Sequence, residues 1–137
     1  MNPPPVASFP LPQAALPAVD GERLRELLDP PRLEESLALL RDLFETFRTE
    51  ATPQIKTLAL AWPAGDAPAA RQAAHFLAGS AANLGLARLA DWLRELEVLA
   101  RAGQFPAGPD LTALFDATTR ETGVAFALVL AELQPSN

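Results

Sequence analysis

The chain of 137 residues contains no cysteine, no tyrosine and a single histidine. Without cysteine there can be no disulfide, no thiolate metal ligand and no thiol nucleophile. One histidine is too few for a histidine-based metal centre, which draws on several ligands, and it assembles into no Ser-His-Asp triad. Positive charge is also in short supply: 11 Lys and Arg face 17 Asp and Glu, a net charge of -6. That sign disfavours nucleic acid, whose phosphates demand a basic surface. No apolar run approaches the roughly 20 residues that span a bilayer, and the amino terminus lacks the basic stretch of a secretory signal. A glycine-rich phosphate loop is absent too, so ATP use is not expected. The expectation is one cytoplasmic domain, without metal or cofactor and with no nucleic-acid or membrane partner.

Proline, by contrast, is abundant. Pro3, Pro4, Pro5, Pro10, Pro12 and Pro17 interrupt residues 1–19, which carry no charged side chain. Such a segment tends to extended, polyproline-like conformations, and it reads as a flexible tail ahead of a domain over residues 20–134.

From Asp20 onward the periodicity is helical. Asp20 caps a short helix to about Leu28, which Asp29-Pro30-Pro31 breaks. Leu33, Leu37, Leu40, Phe44, Phe47, Ala51, Ile55, Leu58 and Trp62 then recur at steps of three and four, the mark of a long helix with one buried stripe. Pro53 is expected to kink or split it. After Pro63-Ala64-Gly65-Asp66 a helix is expected from about Ala67 to Leu84, capped by Gly85. Another starts near Leu86, with Leu89, Leu93, Leu96 and Ala100 inward and Trp92 and Leu99 widening that face. The last covers about Asp110 to Leu133, with Leu111, Leu114, Phe115, Thr118, Thr122, Ala125, Leu128 and Val129 inward. No segment alternates with a period of two. The fold class is therefore all-α: an antiparallel up-down four-helix bundle with a short extra N-terminal helix.

The lone histidine, His75, lies in the third of these helices. Each residue advances about 100° around a helix. With His75 at zero, Ala73, Phe76, Leu77, Ser80 and Leu84 fall on an apolar arc between about 100° and 200°. Arg71, Gln72, Ala78, Gly79 and Ala82 flank the histidine within about 60° on either side. The imidazole is thus expected to project from a low surface of small residues. Glycine weakens a helix interior, so Gly79 is read as clearing access to the ring for a partner's backbone.

The run His75-Phe-Leu-Ala-Gly79-Ser80-Ala-Ala-Asn83-Leu84-Gly85, followed by Leu89-Ala90 and Leu96-Glu97, resembles the histidine-containing phosphotransfer (HPt) domain family. The resemblance extends over about residues 22–133. It implies a helical bundle whose His75 accepts a phosphoryl group from a receiver-domain aspartate and passes it to another receiver. The implied protein is a phosphorelay intermediate rather than an ATP-dependent kinase. Its implied partners are response-regulator receivers and a hybrid sensor histidine kinase, with Mg²⁺ on the receiver, and it acts as a monomer. The family carries lysine three residues after the histidine, where this chain has Ala78. Arg71 is the expected substitute for that cation, Arg88 a weaker one, and Gln72 and Ala82 belong to the expected docking face. Ser80 is assigned to packing, and Asn83 and Gly85 to the helix end. The alternative is a module that binds or sequesters a receiver and transfers poorly.

Overall fold

Aspartates start three of the helices. The Asp20 carboxylate accepts the amides of Glu22 and Arg23, Asp66 accepts that of Ala69, and Asp110 accepts those of Thr112 and Ala113. Each cap satisfies amides left without partners in a first helical turn. Left-handed glycines stop three helices: Gly65 at φ +66°, Gly85 at φ +74° and Gly103 at φ +71°, a region that side chains with a Cβ enter at a cost. The result, in a computed structural model that describes residues 8–134, is α1 (Gly21–Glu26), a 3₁₀ turn (Pro30–Arg32), α2 (Leu33–Ala64), α3 (Ala67–Asn83), α4 (Ala87–Arg101) and α5 (Leu111–Leu133). There is no strand among the described residues.

The four long helices form an all-α bundle around one core. The α2 stripe is buried as its periodicity indicates, except that Leu33 is only half-buried. Trp92, Leu93 and Leu96 of α4 are fully enclosed. α3 packs most extensively on α4 and next on α2, while α5 leans mainly on α2. α1 closes the end of α3: the Asp20 amide donates to the Gly85 carbonyl at 2.8 Å, and Arg23 Nε donates to the Asn83 carbonyl at 3.1 Å.

Three expectations need correction. α2 is not split at Pro53, one of the two outcomes expected there, and runs on to Ala64. That proline is exposed, so the carbonyl deprived of its amide lies on the wet side and the core contacts on the opposite face persist. In α5 Leu111, Phe115, Thr118 and Thr122 are buried as expected, but towards the C-terminal end Phe126 and Leu130 take the inward places and Leu128 is 61% exposed. Phe126 stacks on Phe44 with ring centroids 4.9 Å apart, and a Cβ at Gly123 would lie 3.3 Å from the Phe44 ring. Glycine there makes room for the aromatic pair, which then sets the rotation of the helix.

The third correction concerns the segment expected as a tail. Residues 1–7 lie outside the described residues, but residues 8–19 run along the bundle as a strap. Phe9 meets Trp62 edge-on at 5.9 Å and abuts Gly108, where an added Cβ would sit 2.4 Å from its ring. Trp92 Nε1 donates to the Pro10 carbonyl at 2.9 Å, and Arg88 donates to the carbonyls of Ala14 and Leu16. An uncharged, proline-rich segment has no helix to form, but its carbonyls are free to accept from α4. Gln13 donates to Glu95 at 3.3 Å. Burial, the adjacent Asp91 charge and a hydrogen bond to Asp91 push the Glu95 carboxyl above its ordinary value, and the Gln13 contact opposes this.

Replacing Phe9 by alanine is expected to cost about 1–3 kcal/mol, less than a fully buried Phe truncation because the ring is half-buried. A lowered urea midpoint at unchanged slope checks this, and an unchanged midpoint would restore the free-tail reading. Glu95 supplies a pH test. Its raised carboxyl favours the protonated form in the fold, so its contribution is present below the ordinary value of 4.5 and lost as pH rises through the raised value. Glu95→Gln should therefore raise the melting temperature at pH 7, and the gain over wild type should shrink on acidification.

Candidate functional site

His75 sits mid-way along α3, a helix whose buried face is mostly alanine: Ala70, Ala73, Ala74, Ala78 and Ala81, with Leu77 among them. That face is rotated from the arc expected from sequence. Phe76 is 43% exposed, whereas Ala78 is buried. α3 is held between two neighbours, α2 and α4, so its buried arc is wide, and alanines too weakly apolar to direct a sequence pattern fill its second half. Position 78 is thus the floor of a contact with α4 rather than part of the open surface.

The rotation brings His75 to the edge of α4. Its Nδ1 lies 2.8 Å from Glu97 Oε2, with side-chain exposures of 76% for the histidine and 12% for the glutamate. An ionised carboxylate only accepts, so the contact requires Nδ1 to carry the proton. That leaves Nε2 with the lone pair. The same Glu97 oxygen accepts from Arg101 Nη2 at 3.0 Å, and this second donor holds the carboxylate in place.

Glu97 is the site residue that sequence reasoning named only within the Leu96-Glu97 pair and gave no role. A signal was available. Glu97 lies on the buried stripe of α4, four residues after Leu93 and three before Ala100, with Arg101 one turn on. A carboxylate at a core position needs a partner. The partner on its own helix was visible, but the one on α3 was not.

The remaining predicted residues divide. Gln72 and Gly79 are exposed beside His75 and Ala82 is half-buried, so the small-residue approach exists. An added Cβ at Gly79 would meet nothing within 4 Å. Arg71 is exposed and forms neither an ion pair nor a side-chain hydrogen bond among the described residues. Arg88 is committed to the strap carbonyls and lies 3.9 Å from Glu121. Ser80 borders a small gap with Phe47, Glu50 and Phe76, between α2 and α3. The Asn83 carbonyl and Gly85 join the helix end to α1.

A cavity of about 250 Å³ opens between α3 and α4, lined by His75, Ala78, Gly79, Arg94, Glu97 and Val98. A larger groove, about 1030 Å³, runs between α2 and α5 and contains no histidine. Size therefore does not distinguish the cavity beside His75; the exposed ring held at Nδ1 by Glu97 does. No group of three or more His, Asp or Glu among the described residues is arranged to hold a metal.

The chain matches the Hpt domain family over residues 42–134. It is also similar to the crystal structure of histidine-containing phosphotransfer protein B (HptB) from Pseudomonas aeruginosa PAO1. The two are 30% identical with a TM-score of 0.59, over 88% of this chain and 98% of that one. No curated protein shows a significant match.

Because nothing contacts a side chain at position 79, Gly79→Ala should stabilise the fold by up to about 1 kcal/mol through helix propensity. Denaturant titration checks this. Destabilisation would show that Gly79 serves packing instead of access.

Proposed function

The chain belongs to the Hpt domain family, and on that premise we propose that it carries a phosphoryl group on His75 between receiver domains of a phosphorelay. The observation supporting His75 as the acceptor is the Glu97 contact at 2.8 Å to Nδ1 of a ring that is otherwise open to solvent. It prepares Nε2 as the nucleophile without a general base.

In the forward step the Nε2 lone pair attacks the phosphorus of a receiver's aspartyl phosphate. An N–P bond forms, the P–O bond to the aspartate breaks, and the carboxylate leaves with the electron pair. The ring keeps its proton on Nδ1 and becomes cationic, and the ionised Glu97 lies where that charge develops. The reverse step, on a second receiver's aspartate, returns the ring to neutrality. No proton leaves the site in either direction, so the protein needs no acid or base beyond its own histidine. The receiver brings the aspartate and Mg²⁺, which organise the transferring group. Phe76, Gln72 and Gly79, all exposed beside the ring, form the centre of the docking face.

Incubation with a phosphorylated receiver should label wild type, while His75→Gln should take no label. Glu97→Ala should slow transfer on the order of tenfold to a hundredfold by releasing the ring from one tautomer and orientation, and ¹⁵N spectra should then show both neutral tautomers. Tight receiver binding without any transfer would favour the sequestering module instead.

A further inference from the structure

A dianionic phosphoryl group on His75 would stand beside an acidic neighbour, Glu97, in a chain of net charge -6. A counter-charge is required, and the groups facing His75 can be followed element by element. On α3, Arg71 lies one turn earlier but is absent from the lining of the cavity beside the ring. On α4, Arg101 is already bound to Glu97 at 3.0 Å and offsets its charge. Of the two other α4 arginines, Arg88 is held by the strap carbonyls, and Arg94 lies three residues before Glu97. It lines the cavity together with His75, Ala78 and Gly79. It is exposed and makes no ion pair or side-chain hydrogen bond among the described residues. The methyl of Ala78 leaves the cavity floor low, so nothing from α3 occupies the space.

We propose that this cavity between α3 and α4 is an anion subsite for the phosphoryl group of His75, with the Arg94 guanidinium as its counter-charge. The inference rests on the phosphotransfer reading and adds to it the cation on which the bound group depends. A guanidinium offers several donors in a fixed fork that suits phosphoryl oxygens. Its freedom from other partners lets it turn to the group when it arrives and release it when a receiver takes over. Placing the cation on α4 puts the charge and the Glu97 hydrogen bond on one rigid helix, one turn apart.

The test is the equilibrium share of phosphoryl between His75 and a receiver, read by label distribution, for wild type, Arg94→Ala, Arg94→Lys, Arg71→Ala and the double variant Arg94→Ala/Ala78→Lys. Arg94→Ala should lower the share on His75 on the order of tenfold, as expected for loss of one charge-assisted contact. Arg94→Lys should keep most of it. Lysine at position 78 rises from the floor of the same cavity and should restore much of the loss, which a merely structural role of Arg94 would not allow. An unchanged urea midpoint in Arg94→Ala separates the effect from folding. If wild type and Arg94→Ala share label equally, or if Arg71→Ala has the larger effect, the subsite is overturned while His75 remains the acceptor. If wild type takes no label at all, the phosphotransfer reading fails and the subsite with it.

Discussion

The close contact between α3 and α4 is the constraint on which the rest depends. The buried face of α3 carries little but methyl groups, and α3 packs more extensively on α4 than any other pair of helices in the bundle. Small side chains let helix axes approach. Only at such an approach can a glutamate on one helix reach the ring of a histidine on the next at 2.8 Å while the ring stays exposed. With a larger residue at Ala74, which is fully buried, the helices would be pushed apart and Glu97 would be a nearly buried carboxylate held by Arg101 alone.

Around that contact the charges are arranged economically. Glu97 is offset by Arg101 on its own helix, and Arg88 reaches away to hold the strap. The strap in turn covers the outer face of α4 through Trp92 and meets Trp62 at the end of α2 through Phe9. α4 is thereby held on both sides, by α3 and by the strap. A helix so restrained gives the histidine a fixed partner, which suits the carrier role proposed for it, in which the ring must present the same nitrogen at every transfer.

Much of this was legible in one sequence. Strong apolar residues at regular spacing report their burial, so the α2 stripe and the Leu89-Leu93-Leu96 stripe were read correctly. Aspartate caps and left-handed glycines report helix ends, so boundaries fell within a few residues. The readings that failed share a cause. Alanine is nearly silent in a hydrophobic pattern, and the inward face of α3 was judged from Phe76 and Leu77 when most of it is alanine. In α5 apolar residues occur all round the helix, and only the Phe44–Phe126 stack beside Gly123 chose among the possible rotations. The strap was misread because composition describes what a segment can do alone, not what it finds when Trp92 and Arg88 offer donors to its carbonyls.

The sequence by itself determined the helices, their order, and the placement of one histidine among small residues on an exposed helical face. Those are properties of local spacing, and local spacing is written along the chain. Only the tertiary structure decided which nitrogen of that histidine is free, because the partner that holds the other one lies 22 positions away on a different helix. It also moved Ala78 from the open surface to a buried contact and brought Arg94 to the cavity beside the ring. Helix rotation is set by all the neighbours of a helix at once, and no single segment contains that information.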